Sequence, residues 1–165
     1  MKKYYLIISL SLIVILLLPV ISLSALTNLR VLADSLIGGK GNNVYVYTGP
    51  IVSFDKYDFG NCTYWVSLLR YKIHEPIPNN WGNAITWAQR ASRAGYLVNN
   101  VPTPGSILQD PNALGGLGHV AFVVSLTTTN YTISEMNRIG YDEVDQRTLP
   151  IGTAINYNFI HNKIN

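Results

Sequence analysis

The chain has 165 residues, 48% of them hydrophobic and 13% charged, with a formal net charge of +3; that length has room for one domain plus a leader, and a second module is not expected. Lys2, Lys3 and Arg30 all precede residue 34 and leave 9 basic residues against 9 acidic ones beyond it, so the domain lacks the basic patch that nucleic-acid binding needs. One cysteine excludes an internal disulfide and, in an exported chain, is a free thiol worth attention.

Lys2-Lys3 followed by the uncharged, mostly aliphatic run from Tyr4 to Leu18 has the positive n-region and apolar h-region of an export signal. Residues 1–33 are therefore expected to be a signal peptide or a signal anchor. Ser22-Leu23-Ser24 and Val31-Leu32-Ala33 both place small residues suitably for cleavage, while the lack of charge before Arg30 would also let the run span a bilayer and stay. Either way the rest of the chain is expected outside the cytoplasm, secreted to the wall or tethered to the membrane only through this leader. Residues 34–53 read as a Gly/Asn-rich tether and edge segment, with Val44 to Tyr47 a short edge strand. The domain proper is expected over 54–165.

In Asp58-Phe59-Gly60-Asn61-Cys62-Thr63-Tyr64-Trp65-Val66 a turn-forming run gives way to an amphipathic segment. Cys62, Trp65, Val66, Leu69 and Ile73 fall on one helical stripe, which predicts a helix starting at or just before the cysteine. A thiol in the first turn faces unpaired N–H groups and the positive end of the macrodipole, and both favour thiolate. By itself the cysteine could equally be a small apolar filler of the buried face. The prolines and asparagines from Glu75 to Asn80 predict a loop. A second helix is then expected, capped by Asn83, burying Ala84, Trp87, Ala88 and Ala91, and ended by Gly95. Trp81 and Trp87 are core by default.

From residue 105 the pattern becomes strand-like: 105–108, 119–126, 131–136, 144–149 and 154–161, the last with Ile155, Tyr157 and Phe159 alternating. Helices first and strands later predict an α+β fold, with helices packed on an antiparallel sheet. If the turn of the hairpin is centred near Thr128, His119 pairs with Asn137 and Ala121 with Glu135, so both polar groups lie beside the imidazole. A one-residue slip would offer Ser134 and Met136 instead. Gln109 to Gly118 reads as a flexible approach to His119, either a mobile rim of the cleft or a long surface loop.

Gly60-Asn61-Cys62-Thr63-Tyr64-Trp65-Val66, Trp81-Gly82-Asn83, Pro104-Gly105-Ser106-Ile107, Gly118-His119-Val120-Ala121 and Ser134-Glu135-Met136-Asn137 occur in one order. Together they resemble the CHAP family, the cysteine, histidine-dependent amidohydrolases/peptidases of the papain-like superfamily, over roughly residues 55 to 161. The resemblance implies a papain-like fold and hydrolysis of an amide in peptidoglycan, either between muramic acid and the stem peptide or within the peptide. It makes Cys62 the nucleophile, His119 the general base and acid, and Glu135 the group that orients the imidazole, with Asn137 sharing that role. The Cys62 backbone N–H is an oxyanion donor. The side chain of Asn61 would be a second one where many relatives have glutamine; Asn61 could instead be only the helix N-cap.

Tyr64, Trp65 and Trp81 are candidates near the substrate. No metal or other cofactor is expected: Asp55 and Asp58 lack the clustered pattern calcium needs, and His74 and His161 have no second ligand at metal spacing. The partner is peptidoglycan and the chain is expected to be a monomer. Two rival readings remain: an inactive wall-binding module that retains the cleft, and a cysteine protease or amidase acting on an envelope protein.

Overall fold

The alternating runs of the second half of the chain pair into a single antiparallel sheet. In the computed structural model, which describes residues 44–164, its strands are β1 (Tyr45–Val46), β2 (Tyr96–Asn99), β3 (Ile107–Asp110), β4 (His119–Leu126), β5 (Asn130–Met136), β6 (Glu143–Pro150) and β7 (Asn158–Lys163). They lie in the order β1-β6-β5-β4-β3-β7-β2. Two helices precede most of them: α1 (Cys62–Lys72) and α2 (Trp87–Arg93). The α+β architecture is the one expected. The leader over 1–33 and the tether over 34–43 lie outside the described residues. No helix among the described residues is long and apolar enough to cross a membrane.

Helix α1 begins at the cysteine because the chain turns sharply just before it. Gly60 sits at φ +86°, a left-handed conformation that side chains disfavour, and Asn61 is extended with its carbonyl accepting the first helical bond from Trp65 N–H at 3.1 Å. At the other end Arg70 and Lys72 complement the dipole. Arg70 is buried and satisfied by Gly105 O at 2.7 Å, Asn162 Oδ1 at 2.5 Å and the Glu75 carboxylate at 3.0 Å, which ties the end of α1 to the strands. In α2, Trp87 and Ala91 are buried as the periodicity predicts. Asn83, expected to cap that helix, instead precedes a single 3-10 turn (Ala84–Thr86), and its side chain makes no capping bond.

Two strand expectations need correcting. Residues 154–157 belong to a 3-10 segment (Ile151–Asn156) and the residue after it, and Ile155 is 73% exposed, so the alternation there is not that of a strand. Strand β2 was not foreseen; it is a four-residue strand paired only with β7, too short for its alternation to stand out.

The β4–β5 hairpin carries the detail that matters most. Near its turn Leu126 faces Tyr131 and Ser125 faces Thr132, but the register shifts between Val123 and Ser125, after which Phe122 faces Ser134 and Val123 faces Ile133. Carried on toward the open end, that register sets Ala121 opposite Glu135. The unshifted register would have moved every residue of β5 to the other face relative to His119.

Candidate active site

Residues 59–61, which lead into α1, are held by the turn that follows β5. Tyr141 O–H donates to Phe59 O, Asp142 N–H donates to Gly60 O at 3.3 Å, and Asn137 Nδ2 donates to Asn61 Oδ1 at 2.8 Å. Asn137 and Asp142 both adopt left-handed backbone, φ +60° and +67°, which asparagine and aspartate tolerate better than other side chains. Asn61 occupies the N-cap position but its side chain caps nothing. With Oδ1 taken by Asn137, its Nδ2 is the end left to donate. Cys62 is the first residue of α1, so its N–H has no acceptor within the helix.

His119, the first residue of β4, is 4% exposed, and Glu135 on β5 is fully buried. His119 Nε2 donates to Glu135 Oε2 at 2.8 Å. With Nε2 so occupied, Nδ1 is the ring nitrogen left for the Cys62 thiol; it is buried and bonded to no group. Burial alone pulls an imidazole down, but hydrogen bonding and charge from Cys62 and Glu135 outweigh it and raise the His119 pKa from 6.5 to about 9. Burial likewise pushes the Glu135 carboxyl up, yet hydrogen bonds and charge from His119 and Arg147 prevail and hold it below its ordinary value. A thiol on a helix N-terminus beside an imidazole that a carboxylate orients is the set of parts for nucleophilic acyl transfer.

The thiol lines a cleft of about 510 Å³. Its walls come from Lys56, Tyr57 and Asp58 before α1, from Asn79, Asn80 and Gly82 to Ala84 between the helices, from Leu114, Leu117 and Gly118 before β4, and from Asn61 and Asn137. The segment before β4 is docked rather than loose: Ile85 N–H donates to Leu117 O at 2.8 Å.

The structure thus brings Cys62, His119 and Glu135 together, and places Asn61 beside Cys62. Asn137 is near but touches Asn61, not the imidazole, which corrects its expected sharing of the Glu135 role. The three aromatic candidates do not line the cleft. Trp65 is fully buried with Nε1 donating to Ser134 Oγ at 2.9 Å; Tyr64 is sealed under residues 47–52, its hydroxyl bonded to Pro50 O. Trp81 packs edge-on against Trp87 and Tyr96. Rings this apolar end in the core when their faces have neighbours to cover them.

Sequence reasoning missed Arg147. Its Nε donates to Glu135 Oε1 and its Nη2 to Oε2 at 3.2 Å, and Arg138 reaches Oε1 at 3.2 Å. The signal available was the alternation of Asp145 and Arg147 on β6, one face of a strand that neighbours β5.

A family model described as the CHAP domain matches residues 52–137. The staphylococcal secretory antigen ssaA2 of Staphylococcus aureus (strain NCTC 8325 / PS 47) is 44% identical over 108 residues, covering 64% of this chain and 38% of its own. The staphylococcal secretory antigen SsaA of Staphylococcus epidermidis (strain RP62A) is 38% identical over 122 residues, 73% of this chain and 46% of its own. The chain therefore spans less than half the length of these curated relatives. Among solved structures, an N-acetylmuramoyl-L-alanine amidase from Staphylococcus aureus superposes with a TM-score of 0.59 at 28% identity, covering 63% of this chain and 31% of that one. The crystal structure of Ly7917 shares the fold, with a TM-score of 0.50 at 17% identity over 84% of this chain and 61% of that one.

Proposed function

The chain belongs to the CHAP domain family, and from that premise we propose that it is an exported peptidoglycan hydrolase that cleaves an amide through a thioester on Cys62. The bond is the one between N-acetylmuramic acid and L-alanine or one within the wall peptide. The observation that carries the reading is the 2.8 Å bond that fixes His119 on Glu135, with Cys62 acting on the same ring and lining the cleft.

In the proposed reaction His119 holds the proton of the thiol and the Cys62 sulfur attacks the amide carbonyl. The C–S bond forms as the carbonyl π-electrons move to oxygen, and the oxyanion is met by Cys62 N–H and by Nδ2 of Asn61. Collapse breaks the C–N bond, and the imidazolium of His119 gives its proton to the leaving amine. Water then attacks the thioester, His119 takes a proton from it, and a second collapse releases the carboxylic acid and the thiolate beside a reprotonated ring. Glu135 keeps Nε2 engaged and stabilises the positive ring throughout. Export is supported by the leader pattern and by relatives named secretory antigens.

The test is release of new amines and soluble fragments from purified peptidoglycan by the full-length chain, beside its Cys62→Ala and His119→Ala forms. Solubilisation by the wild type and not by either variant is the expected result, and mass spectrometry of the fragments names the bond. Equal inactivity of all three on walls of several cross-link types would overturn the proposal.

A further inference from the structure

The carboxylate that holds His119 is itself held from its far side, by a side chain to which the acyl-transfer reading assigns no role. Glu135 is fully buried, yet both of its oxygens are occupied. Oε2 accepts from His119 Nε2 at 2.8 Å and from Arg147 Nη2 at 3.2 Å, while Oε1 accepts from Arg147 Nε and lies 3.2 Å from Arg138 Nε. Arg147 therefore grips both oxygens of the carboxylate that orients the imidazole.

The register of the sheet sets this up. On the β5–β6 ladder Asp145 stands opposite Glu135 and Arg147 opposite Ile133, so Arg147 reaches Glu135 along the diagonal of one face. Arg138 plays a lesser part, since its Nε and Nη2 are committed to Asp145 Oδ2 at 3.0 Å and 2.5 Å. A planar, two-pronged guanidinium fixes the plane of a carboxylate as well as its charge, which an ammonium cannot do. Without that grip, Glu135 could rotate away from Nε2. It could also take up a proton and become a donor, in competition with the ring N–H it must accept from.

We propose that Arg147 is the positioning residue of this site, clamping Glu135 so that the carboxylate holds His119 by Nε2 and leaves Nδ1 turned to Cys62. The proposal rests on the thiol-hydrolase reading for its effect on turnover, but the clamp itself is a property of the ground state. The charged and titratable groups that face Glu135 are His119 from β4, Arg147 from β6 and Arg138 from the turn after β5, with Asp145 of β6 bonded to Arg138.

The experiment compares the full-length wild type with Arg147→Gln, Arg147→Lys and, as a control, Arg138→Gln. One readout is the NMR titration of the His119 imidazole, which needs no substrate. The other is kcat and KM for amine release from peptidoglycan across pH. In Arg147→Gln the His119 titration is expected to move to lower pH. The same variant should lose up to about a hundredfold in kcat, the cost of a misplaced catalytic group, with KM changed far less, and the acid limb of kcat should move to higher pH as Glu135 protonates more readily. Arg147→Lys should restore the acid limb but only part of kcat, and Arg138→Gln should change both readouts less than Arg147→Gln does.

A His119 titration in Arg147→Gln that coincides with the wild type overturns the clamp, even if activity falls, because a purely structural loss would give that result. Should Arg147→Gln fail to fold, Arg147→Lys carries the test, and wild-type kcat with an unmoved titration overturns the proposal. If the wild type releases no amine from peptidoglycan while its His119 titration still responds to Arg147→Gln, the clamp stands and the proposed substrate falls.

Discussion

Asn137 donates a carboxamide N–H to Asn61 Oδ1 at 2.8 Å, so a residue in the turn after β5 dictates which end of the Asn61 amide faces the cleft. That bond bears on the two readings of Asn61. Its side chain is not spent on capping the helix, and its Nδ2 is left as a donor beside Cys62.

The bond makes a first prediction. Asn137→Gly keeps the left-handed backbone of φ +60° while removing the carboxamide, so Asn61 loses its orientation. With removal of an oxyanion donor costing about 10²–10³-fold in turnover, Asn61→Ala is expected in that range, and Asn137→Gly to lie between it and the wild type. Steady-state kinetics on solubilised wall fragments checks this. Asn137→Gly with wild-type kcat would remove Asn61 from the proposed oxyanion site.

A second prediction concerns pH. The His119 pKa is raised from 6.5 to about 9, and a raised pKa favours folding while the ring stays protonated. The contribution is fully present below the unfolded value of 6.5 and fades as pH rises through about 9. Thermal unfolding should therefore show an alkaline loss on the order of 1–3 kcal/mol across that window. His119→Ala should abolish it, and Cys62→Ala should narrow it by removing one of the two groups that raise the ring. In the proposed mechanism, kcat/KM should decline over the same alkaline range, because the ring then lacks the proton for the leaving amine.

The buried Trp65 leads to a third. Trp65→Phe leaves the Ser134 hydroxyl without its 2.9 Å donor in a fully buried place, which should cost about 1–3 kcal/mol. Urea denaturation measures the loss. Since Trp65 does not line the cleft, KM should stay near the wild-type value at a temperature where the variant is folded; a large rise in KM would return Trp65 to substrate binding.

A fourth contrasts two glycines of the segment before β4. Gly118 is at φ +73° and a Cβ there would overlap the Ile85 amide, whereas Gly115 is at φ +63° with open space around it. Both alanine variants carry the left-handed backbone penalty, more than about 1 kcal/mol. Only Gly118→Ala should also push the rim of the cleft off Ile85 and displace His119, which follows directly. The expected result is a loss of kcat in Gly118→Ala beyond that in Gly115→Ala, measured at equal folded fraction.

What could be read along the chain was whatever local periodicity controls. The stripe of Cys62, Trp65, Val66 and Leu69 is a property of consecutive residues, so the start of α1 at the cysteine was legible, as was the antiparallel sheet from the later alternating runs. The ordered motifs around Cys62, His119 and Glu135 were legible through their resemblance to the CHAP family, which periodicity alone does not supply. The 3-10 segment at Ile151–Asn156 was not, because three or four alternating apolar residues look alike in a strand and in an irregular turn.

What only the tertiary structure decided was everything that depends on a partner distant in sequence. The side-chain parity that sets Glu135 beside His119 survives because of the register shift between Val123 and Ser125, and no composition signal marks that bulge. Tyr64 stands off the helical stripe yet is covered by residues 47–52, and Arg147 has the look of a solvated strand charge until β6 pairs with β5. Pattern tells which residues are apolar and in what period; burial and ion pairing depend on which segments arrive next to them, and that is settled only when the chain closes on itself.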